Sequence, residues 1–286
     1  MRKSGFISII GRPNAGKSTL MNTICGKKIA IVSHIPQTTR NVIKGIYTKK
    51  DTQMVFLDTP GIHESVKQFN QIMSKQAHIA MDESDLVLYV IDLTRRFGKE
   101  EEIILAALQE LGKPVIVACN KVDVQDEHVV ENSMRINAEM EKNPTWSLIY
   151  ISALKQKNID ELLAAITEKL PEGEFYFPDD MYTDSALDFM VAETVREKVM
   201  LQTYEEIPHA VRVETVEIDD SDPKFVSVFV DIFVERDSQK GMVIGNGGIK
   251  LKHIGMDARR ELEDLFKKKV FLKLNVRIDK NWRMHA

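Results

Sequence analysis

The chain has 286 residues, of which 43% are hydrophobic and 29% are charged, and its formal net charge is −4. This length predicts two compact domains, and this composition excludes a disordered or low-complexity chain. No stretch reaches the roughly 18 consecutive apolar residues of a membrane span, and the first residues lack a signal-peptide pattern. We therefore expect a cytoplasmic protein.

Positive charge is concentrated near the end of the chain. Residues 240–286 contain 12 Lys or Arg against 5 Asp or Glu, so this part carries +7 and the remainder carries −11. A basic region of this kind favours a polyanionic partner, although a solvated basic face is the commoner explanation of a charge run. A motif is needed to decide between the two.

Residues 6–170 alternate short apolar runs with amphipathic helical segments. The apolar runs are nearly continuous, as in a parallel sheet covered on both faces. The predicted strands are Phe6–Ile10, Met54–Leu57, Leu86–Ile91, Val115–Cys119 and Leu148–Ile151, and the predicted helices are Lys99–Leu111, Glu127–Lys142 and Asn158–Lys169. This order predicts an α/β fold with a doubly wound, mostly parallel sheet. A further run, Val42–Tyr47, is followed by a link short enough for a hairpin, so we expect an antiparallel edge strand there.

The first strand leads into Gly11-Arg12-Pro13-Asn14-Ala15-Gly16-Lys17-Ser18, which has the GxxxxGKS spacing of a phosphate-binding loop. The backbone N–H groups of such a loop and the N-terminus of the next helix bind phosphates. Lys17 would reach the β- and γ-phosphates, and the Ser18 hydroxyl would bind Mg²⁺. The predicted phosphate-binding residues are Asn14, Ala15, Gly16, Lys17, Ser18 and Thr19.

A second motif, Asp58-Thr59-Pro60-Gly61, follows the strand Met54–Leu57. An aspartate at the carboxyl end of an inner strand faces the crevice where α/β sheets bind nucleotides. We predict that Asp58 holds Mg²⁺ through water. The Gly61 N–H is predicted to approach a γ-phosphate, because glycine lets the backbone come close.

The third motif, Asn120-Lys121-Val122-Asp123, selects the base. A carboxylate accepts two N–H bonds from N1 and N2 of guanine, and adenine offers no such pair. Asp123 indicates guanine, because a buried carboxylate facing an unmatched edge would be left unpaired. We expect Asn120 to tie this loop to the phosphate-binding loop and the stem of Lys121 to cover the base plane. The fourth motif, Ser152-Ala153-Leu154, follows the last strand. Its Ala153 N–H is positioned to donate to guanine O6.

Together these motifs resemble the translation-factor class of P-loop GTPases. The resemblance implies GTP hydrolysis and a first switch loop at Gln37-Thr38-Thr39-Arg40. In that loop Thr39, or alternatively Thr38, would add a hydroxyl ligand to Mg²⁺ when the γ-phosphate is bound. We assign the catalytic contacts to Lys17, Thr39 and Gly61.

The position after Gly61 is Ile62, where Ras-like enzymes place a glutamine that orients the attacking water. An apolar side chain cannot polarise water, so we predict slow intrinsic hydrolysis. Family members that combine a hydrophobic residue here with an asparagine at the position of Asn14 include enzymes that use K⁺. K⁺ held by Asn14 is therefore one hypothesis, and a purely structural hydrogen bond of Asn14 is the other.

Residues 171–185 contain two prolines, a glycine and five acidic residues without a sustained period, which predicts a linker between a domain at 1–170 and another at 186–286. The elements predicted after it are a helix at 186–203, strands at 210–218 and 225–235, a helical lead-in to a glycine-rich turn, a helix at 249–267 and a strand at 270–278. This order is that of a type II KH domain, a smaller α+β fold.

The glycine-rich turn contains Gly245-Asn246-Gly247-Gly248, a GxxG sequence. In KH domains this loop clamps the backbone of about four nucleotides, and the next helix N-terminus favours the phosphate. The predicted RNA-binding residues are Gly245, Asn246, Gly247, Gly248, Lys250 and Lys252, and further phosphate contacts are open to Lys240, Arg259, Lys267–Lys269, Lys273 and Arg277. A glycine-rich turn with a solvated basic surface is the alternative.

The two parts together resemble the Era family of bacterial ribosome-assembly GTPases over nearly the full length, including Pro36–Arg40, Phe56–His63 and Val243–Gly255. The resemblance implies binding of small-subunit ribosomal RNA near its 3′ end, assistance to small-subunit assembly, a monomer, and peripheral contact with the inner membrane, for which the sequence shows no anchor. Gly247 departs from the family, whose members often carry a lysine there, and this weakens one expected phosphate contact.

Two other classes share parts of this pattern. A P-loop kinase or ATPase would have the first motif but would not need Asn120, Lys121 and Asp123. An RNA-binding protein with an inert nucleotide domain would share the second half of the chain. Competition by ATP and release of phosphate separate these classes from a GTPase.

Overall fold

The computed structural model describes residues 1–33, 35, 38–59, 79–204 and 206–280, and these form two compact units, the first ending at Asp184 and the second beginning at Ser185. The first unit is a six-stranded sheet in the order β2-β3-β1-β4-β5-β6. Its strands are β1 (Lys3–Ile10), β2 (Ile43–Lys49), β3 (Thr52–Asp58), β4 (Leu86–Asp92), β5 (Val115–Asn120) and β6 (Ser147–Tyr150). All neighbours are parallel except β2 and β3.

Helices of the first unit connect these strands. They are α1 (Lys17–Cys25), α2 (Lys99–Leu111), α3 (His128–Lys142) and α4 (Ile159–Lys169). The core on one face joins Val87, Tyr89 and Ile91 of β4 with Ile104 and other apolar residues of α2. Strand β4 is buried at every position, as the continuous apolar run predicts for a strand between two layers of helix.

The predicted architecture of this unit is confirmed, including the antiparallel edge strand. The observed strands extend past the apolar runs; β1, for example, begins at Lys3 because its first residues pair with Thr52–Met54 of β3. That pairing depends on backbone hydrogen bonds, which do not require apolar side chains. Among the described residues, we find no helix with the length and apolar character needed to cross a membrane.

Residues 171–184, predicted as a linker, are hydrogen-bonded to the first unit. The Ser4 N–H donates to Pro171 O, and the Ile46 N–H of β2 donates to Tyr182 O at 2.9 Å. The fully buried Gln53 side chain accepts from the Tyr176 and Phe177 N–H groups and donates to Phe177 O. Residues 171–184 form no helix or strand, and these hydrogen bonds to the first unit hold the segment in place instead.

The second unit is a three-stranded sheet with helices on one face. Its elements are α5 (Leu187–Gln202), β7 (Arg212–Asp219), β8 (Phe225–Val234), α6 (Asp237–Ile244), α7 (Ile249–Phe266) and β9 (Lys269–Ile278). Strand β8 is antiparallel to β7 and parallel to β9. Its inward positions, such as Val228 and Val230, pack against Val195 of α5 and Ala258 of α7. The predicted α+β order is confirmed.

Candidate functional site

The four motifs of the first unit lie at the carboxyl ends of adjacent parallel strands. The GxxxxGKS loop follows β1, Asp58 ends β3, Asn120 ends β5, and Ser152 follows β6. Because β1, β3, β4, β5 and β6 run in the same direction, these ends meet at one edge of the sheet. Gly61, Ile62 and Gln37 lie outside the described residues.

The phosphate-binding loop needs both of its glycines. Gly16 has φ +97°, and a Cβ there would lie 2.3 Å from Asn120 Nδ2. Gly11 approaches strand β4 as closely, since its Cβ would lie 2.3 Å from Val90 O. A side chain at either position would push the loop off its neighbours. Asn14 also has a positive φ, of 65°, a conformation that asparagine tolerates better than most residues.

Lys17 is buried within this loop. Its Nζ donates to Gly11 O and Arg12 O, each at 3.0 Å. Burial lowers the pKa of Lys17 to about 8, against the opposing attraction of Asp58. A phosphate near this ammonium would stabilise its charge again, because an opposite charge favours the charged form. The lysine is thus placed and poised to bind an anion.

Three side-chain oxygens converge beside Lys17. Ser18 Oγ donates to Asp58 Oδ2 at 2.6 Å, Thr39 Oγ1 donates to the same atom at 3.3 Å, and the two hydroxyls lie 3.2 Å apart. Asp58 is fully buried, which raises its pKa, while Lys17 and the hydroxyls act in the opposite direction. Within the described part of the chain, Asp58 Oδ1 accepts no hydrogen bond. One carboxylate and two hydroxyls with an unused buried oxygen fit Mg²⁺, which prefers oxygen ligands.

This geometry also distinguishes the two candidate threonines. Thr38 and Thr39 are both buried, at 8% and 7% exposure. The hydroxyl that meets Ser18 and Asp58 is that of Thr39. Thr19 lies in the first turn of α1, next to Ser18.

Asn120 joins three loops of the site. Its Nδ2 donates to Ala15 O at 2.8 Å, and its Oδ1 accepts from the Ala153 N–H at 2.9 Å. The predicted tie between the base-selecting loop and the phosphate-binding loop is therefore present. The Ala153 N–H, expected to donate to guanine O6, donates to Asn120 here because a buried amide oxygen needs a donor. Thr23 of α1 adds a bond to Ala153 O.

Asp123 lies next to Ser152 of the neighbouring loop. The nearby Ser152 hydroxyl, which is buried, is the main cause that lowers the pKa of Asp123 and so favours the ionised carboxylate. Asp123 is exposed in this structure, whereas the sequence argument assumed a buried carboxylate. The Asp123 carboxylate would be shielded from solvent only when a base is bound against it.

The second unit presents the GxxG sequence at an exposed turn. The Gly248 N–H donates to Gly245 O, and Gly245, Gly247 and Gly248 all have positive φ. A Cβ on Gly245 would lie 2.7 Å from the Cβ of Lys250, whereas Gly247 has open space around it. The turn leads into the N-terminus of α7, where the free N–H groups favour an anion.

A groove of about 390 Å³ runs from this turn between α7 and β9. Its lining includes Gly248, Lys252 and Arg259 together with apolar residues of both elements. Two of the other basic residues named from the sequence form ion pairs away from the groove: Lys268 pairs with Asp220, and Arg277 with Asp231. The structure therefore places Lys252 and Arg259 at the groove.

Comparison with known proteins supports a GTPase domain in the first part of the chain and a KH domain in the second part. Residues 6–121 match the family described as 50S ribosome-binding GTPase, and residues 206–283 match the KH domain. The GTPase Era of Thermotoga petrophila is 44% identical over 281 residues, covering 98% of this chain and 93% of that protein. The chain belongs to the Era family of GTPases. Era of Lacticaseibacillus paracasei is 43% identical over the same length.

Solved Era structures match the whole chain. One is Era in complex with MgGDPNP and nucleotides 1506–1542 of 16S ribosomal RNA, with 38% identity, a TM-score of 0.92, and coverage of 99% of this chain and 96% of that one. Another is an Aquifex aeolicus Era variant bound to GDP and AlF₄⁻, with 39% identity, a TM-score of 0.90, and coverage of 98% and 95%.

Sequence reasoning missed Asp92, which supports the Era-family base motif. Lys121 has a positive φ of 70°, and its Nζ donates to Asp92 Oδ2 at 2.5 Å. Thr94 fixes the other oxygen of that carboxylate through its N–H and hydroxyl. The signal was available, because Asp92 ends strand β4 at the same sheet edge as Asp58.

A second missed contact restrains the phosphate-binding loop. Arg12 forms ion pairs with Glu100 and Glu101 at the start of α2, and Arg95 donates to Pro13 O at 3.0 Å. The acidic partners raise the pKa of Arg12 even though burial lowers it. No sequence pattern connects position 12 with position 101, so this clamp is visible only in the fold.

Proposed function

We propose that this chain binds GTP with Mg²⁺, hydrolyses it to GDP and phosphate, and uses the reaction to control binding of ribosomal RNA. The observation that carries the nucleotide part is the convergence of Ser18, Thr39 and Asp58 beside Lys17, with Asp123 near Ser152 at the same edge of the sheet. The GDP and AlF₄⁻ bound to the Aquifex aeolicus relative support the hydrolytic part.

Each residue has a distinct role in this proposal. Lys17 holds the β- and γ-phosphates, and Ser18, Thr39 and Asp58 hold Mg²⁺, directly or through water. Mg²⁺ supplies positive charge to the phosphate oxygens. The loop N–H groups orient the phosphates, and the Gly61 N–H is proposed to contact the γ-phosphate. Thr39 is hydrogen-bonded to both Ser18 and Asp58, so we propose that the position of its loop depends on whether the γ-phosphate is bound.

The enzymatic test is phosphate release from GTP by the purified chain, compared with Lys17→Ala. We expect slow turnover in the parent and a loss of at least about 100-fold in the variant, because transition-state charge loses its nearest cation. Excess ATP should not compete with GTP. Equal competition by ATP, or equal turnover by Lys17→Ala, would contradict the proposal.

A monovalent cation is a second element of the proposal. Asn14, with Ile62 in place of a water-orienting glutamine, supports a site for K⁺ at the phosphate-binding loop, where it would supply part of the missing charge. Turnover in KCl should exceed turnover in NaCl at equal ionic strength, and Asn14→Ala should remove the difference. Equal rates in the two salts would exclude a K⁺ requirement.

The RNA ligand is proposed from the second unit. We infer that the GxxG turn and the groove between α7 and β9 bind single-stranded RNA near the 3′ end of small-subunit ribosomal RNA, and that the chain assists assembly of that subunit. The relative crystallised with nucleotides 1506–1542 of 16S ribosomal RNA supports this choice. Crosslinking to total RNA and sequencing of the bound fragments should recover that segment, and recovery of unrelated RNA would contradict it.

The nucleotide is proposed to act as a switch for RNA. Affinity for the 3′-terminal RNA should differ between the GDP form and the form with a non-hydrolysable GTP analogue, and equal affinities would remove the switch. We keep the proposed bounds of a GTP-binding domain at 1–170, a connecting segment at 171–185 and a KH domain at 186–286. A ribosomal ligand implies a cytoplasmic location; the monomeric state and the membrane contact stay predictions.

A further inference from the structure

The sheet of the second unit carries aromatic side chains on the face opposite its helices. In strand β8, fully buried residues such as Val226 and Val228 alternate with positions on the opposite face, which are Phe225, Ser227, Phe229, Asp231 and Phe233. Phe225 is 46% exposed, and Phe271 of β9 is 59% exposed. Exposed phenylalanines at this density on one sheet face indicate a binding surface.

The register of β8 and β9 places lysines among these rings. Phe225 lies opposite Lys269, and Phe229 lies opposite Lys273. The ring centroids of Phe229 and Phe271 are 6.5 Å apart in an edge-to-face arrangement, and Lys273 Nζ is 5.8 Å from the Phe229 centroid. We call these five residues the aromatic platform.

The platform adjoins the proposed RNA groove. Phe271 lines that groove together with Lys252 and Arg259, and it also belongs to the outer face of β9. A strand of RNA that leaves the groove across β9 therefore meets Phe271 first and the rest of the platform next. The groove and the platform form one continuous surface.

The neighbouring side chains define the limits of this surface. On the β7 side, acidic Glu217 lies opposite Phe229, and Asp219 lies opposite Ser227, so phosphates are repelled there. Phe233, further along β8, is covered by the Arg212 guanidinium at 4.6 Å from the ring centroid. The open part of the face thus lies over β8 and β9, where the lysines are. Rings beside lysines suit stacked bases and phosphates better than an apolar protein partner.

We propose that the aromatic platform is a second binding segment for single-stranded RNA, which stacks bases on Phe271 and Phe225 while Lys269 and Lys273 contact the phosphates. Aromatic side chains on the open face of a sheet stack bases in other RNA-binding folds, and such stacking tolerates any base. The platform adds affinity and length, and the groove retains sequence preference. This inference rests on the proposed RNA-binding function.

The test measures affinity of the full chain for a length series of labelled RNAs. The series starts from an oligonucleotide of about four nucleotides that fills the groove and extends it at either end, with abasic extensions as controls. For the parent, base-containing extension in one direction should tighten binding, and abasic extension should not. Phe225→Leu, at a residue outside the groove lining, should reverse about tenfold of that gain while leaving the shortest RNA unchanged, and adding Phe271→Leu should reverse most of the remainder.

Three controls make the result specific. Val216→Ala changes a β7 residue that is 59% exposed, like Phe271, and should leave every affinity unchanged. Phe271→Tyr keeps the ring and should retain the gain. A 2-aminopurine placed in the extension should be quenched by the parent and not by Phe271→Leu, which reports stacking directly.

The possible outcomes distinguish failure of this inference from failure of the proposed RNA-binding function. If the double variant binds long RNA as tightly as the parent, the platform does not bind RNA and the groove still does. If the parent binds neither short nor long RNA, the proposed RNA-binding function itself fails. If Phe225→Leu also loses the shortest RNA, Phe225 supports the groove instead, and the second segment is rejected.

Discussion

The two ends of this chain bind their proposed ligands with opposite kinds of surface. In the first unit, Lys17, Asp58 and Asn120 are almost fully buried, and each is held by hydrogen bonds to other parts of the site. In the second unit, Asn246 and Gly247 are exposed at a turn, and Phe271 is open to solvent. Fixed, enclosed donors discriminate one small ligand from its analogues, whereas an open surface follows an extended polyanion.

This contrast has an energetic consequence. When the partner of a buried side chain is removed, the protein loses stability by the full desolvation free energy of the group left unpaired. An exposed group can form hydrogen bonds to water instead. Substitutions in the first unit should therefore have large effects that are specific to one ligand. Those in the second unit should have graded effects that depend on salt.

The largest effect is expected for Asp123→Asn. The amide presents a donor where guanine N1 and N2 also present donors, so GTP affinity should fall on the order of 1,000-fold. Xanthosine triphosphate, which carries an oxygen at that edge, should bind the variant better than GTP does. Calorimetry with both nucleotides measures this reversal, and comparable heats for GTP and ATP in the parent protein would contradict the assignment of the base site.

The second effect concerns Asn246→Asp combined with Gly247→Asp. Two carboxylates at the exposed turn would face the RNA phosphates, and RNA affinity should fall about 100-fold at low salt. GTP affinity should stay unchanged, and the unfolding temperature should fall only slightly, since Gly247 has open space for a side chain but a φ of +58° that favours glycine. Anisotropy with labelled RNA at two salt concentrations tests this, and an equal loss of GTP binding would show a folding defect.

A third prediction concerns Gln53→Ala, which removes the buried amide that holds residues 176–177. Loss of its three bonds to that segment should lower the free energy of unfolding by about 2 kcal/mol. Chemical denaturation measures the change. Arg2→Ala, which removes only an exposed pair with Glu174, is the matched control and should change stability little. Similar losses in both variants would mean that Gln53 does not hold the segment.

The smallest effect is a pH dependence of GTP binding. The pKa of Lys17 is lowered to about 8 in the free protein, and bound phosphates raise it again. Below that pH the ammonium is already protonated and affinity should be flat. Above it, binding must take up a proton, and affinity should fall by up to about tenfold per pH unit. Calorimetry at about pH 8.5 in buffers of different ionisation enthalpy should show an observed heat that depends on the buffer; identical observed heats in all buffers would exclude proton uptake.

The sequence predicted most of the fold and the composition of the nucleotide site. The order of strands and helices along the chain and the antiparallel edge strand follow from hydrophobic period and link length. Asp58 and Asn120 were found because the carboxyl ends of parallel strands share one edge. Asp92 follows the same rule and was missed, because it belongs to none of the four motifs.

Other features could not be obtained from local patterns. The anchoring of residues 171–184 depends on Gln53, more than 120 positions away, and the clamp on Arg12 depends on Glu101. The exposed state of Asp123 depends on how two loops pack. The aromatic platform depends on which face of β8 the helices cover, and alternation alone does not say which face that is.

By itself, the sequence predicted the chemistry of this protein: which loop is expected to bind phosphates, which residue to read guanine, and which turn to face RNA. Those properties are carried by residue types at short spacings, which act through local backbone geometry. Only the tertiary structure decided that Thr39 rather than Thr38 joins Ser18 and Asp58, and that Phe271 belongs to both the groove and the platform. Such choices are made by contacts between residues far apart in the chain, and no local period encodes those contacts.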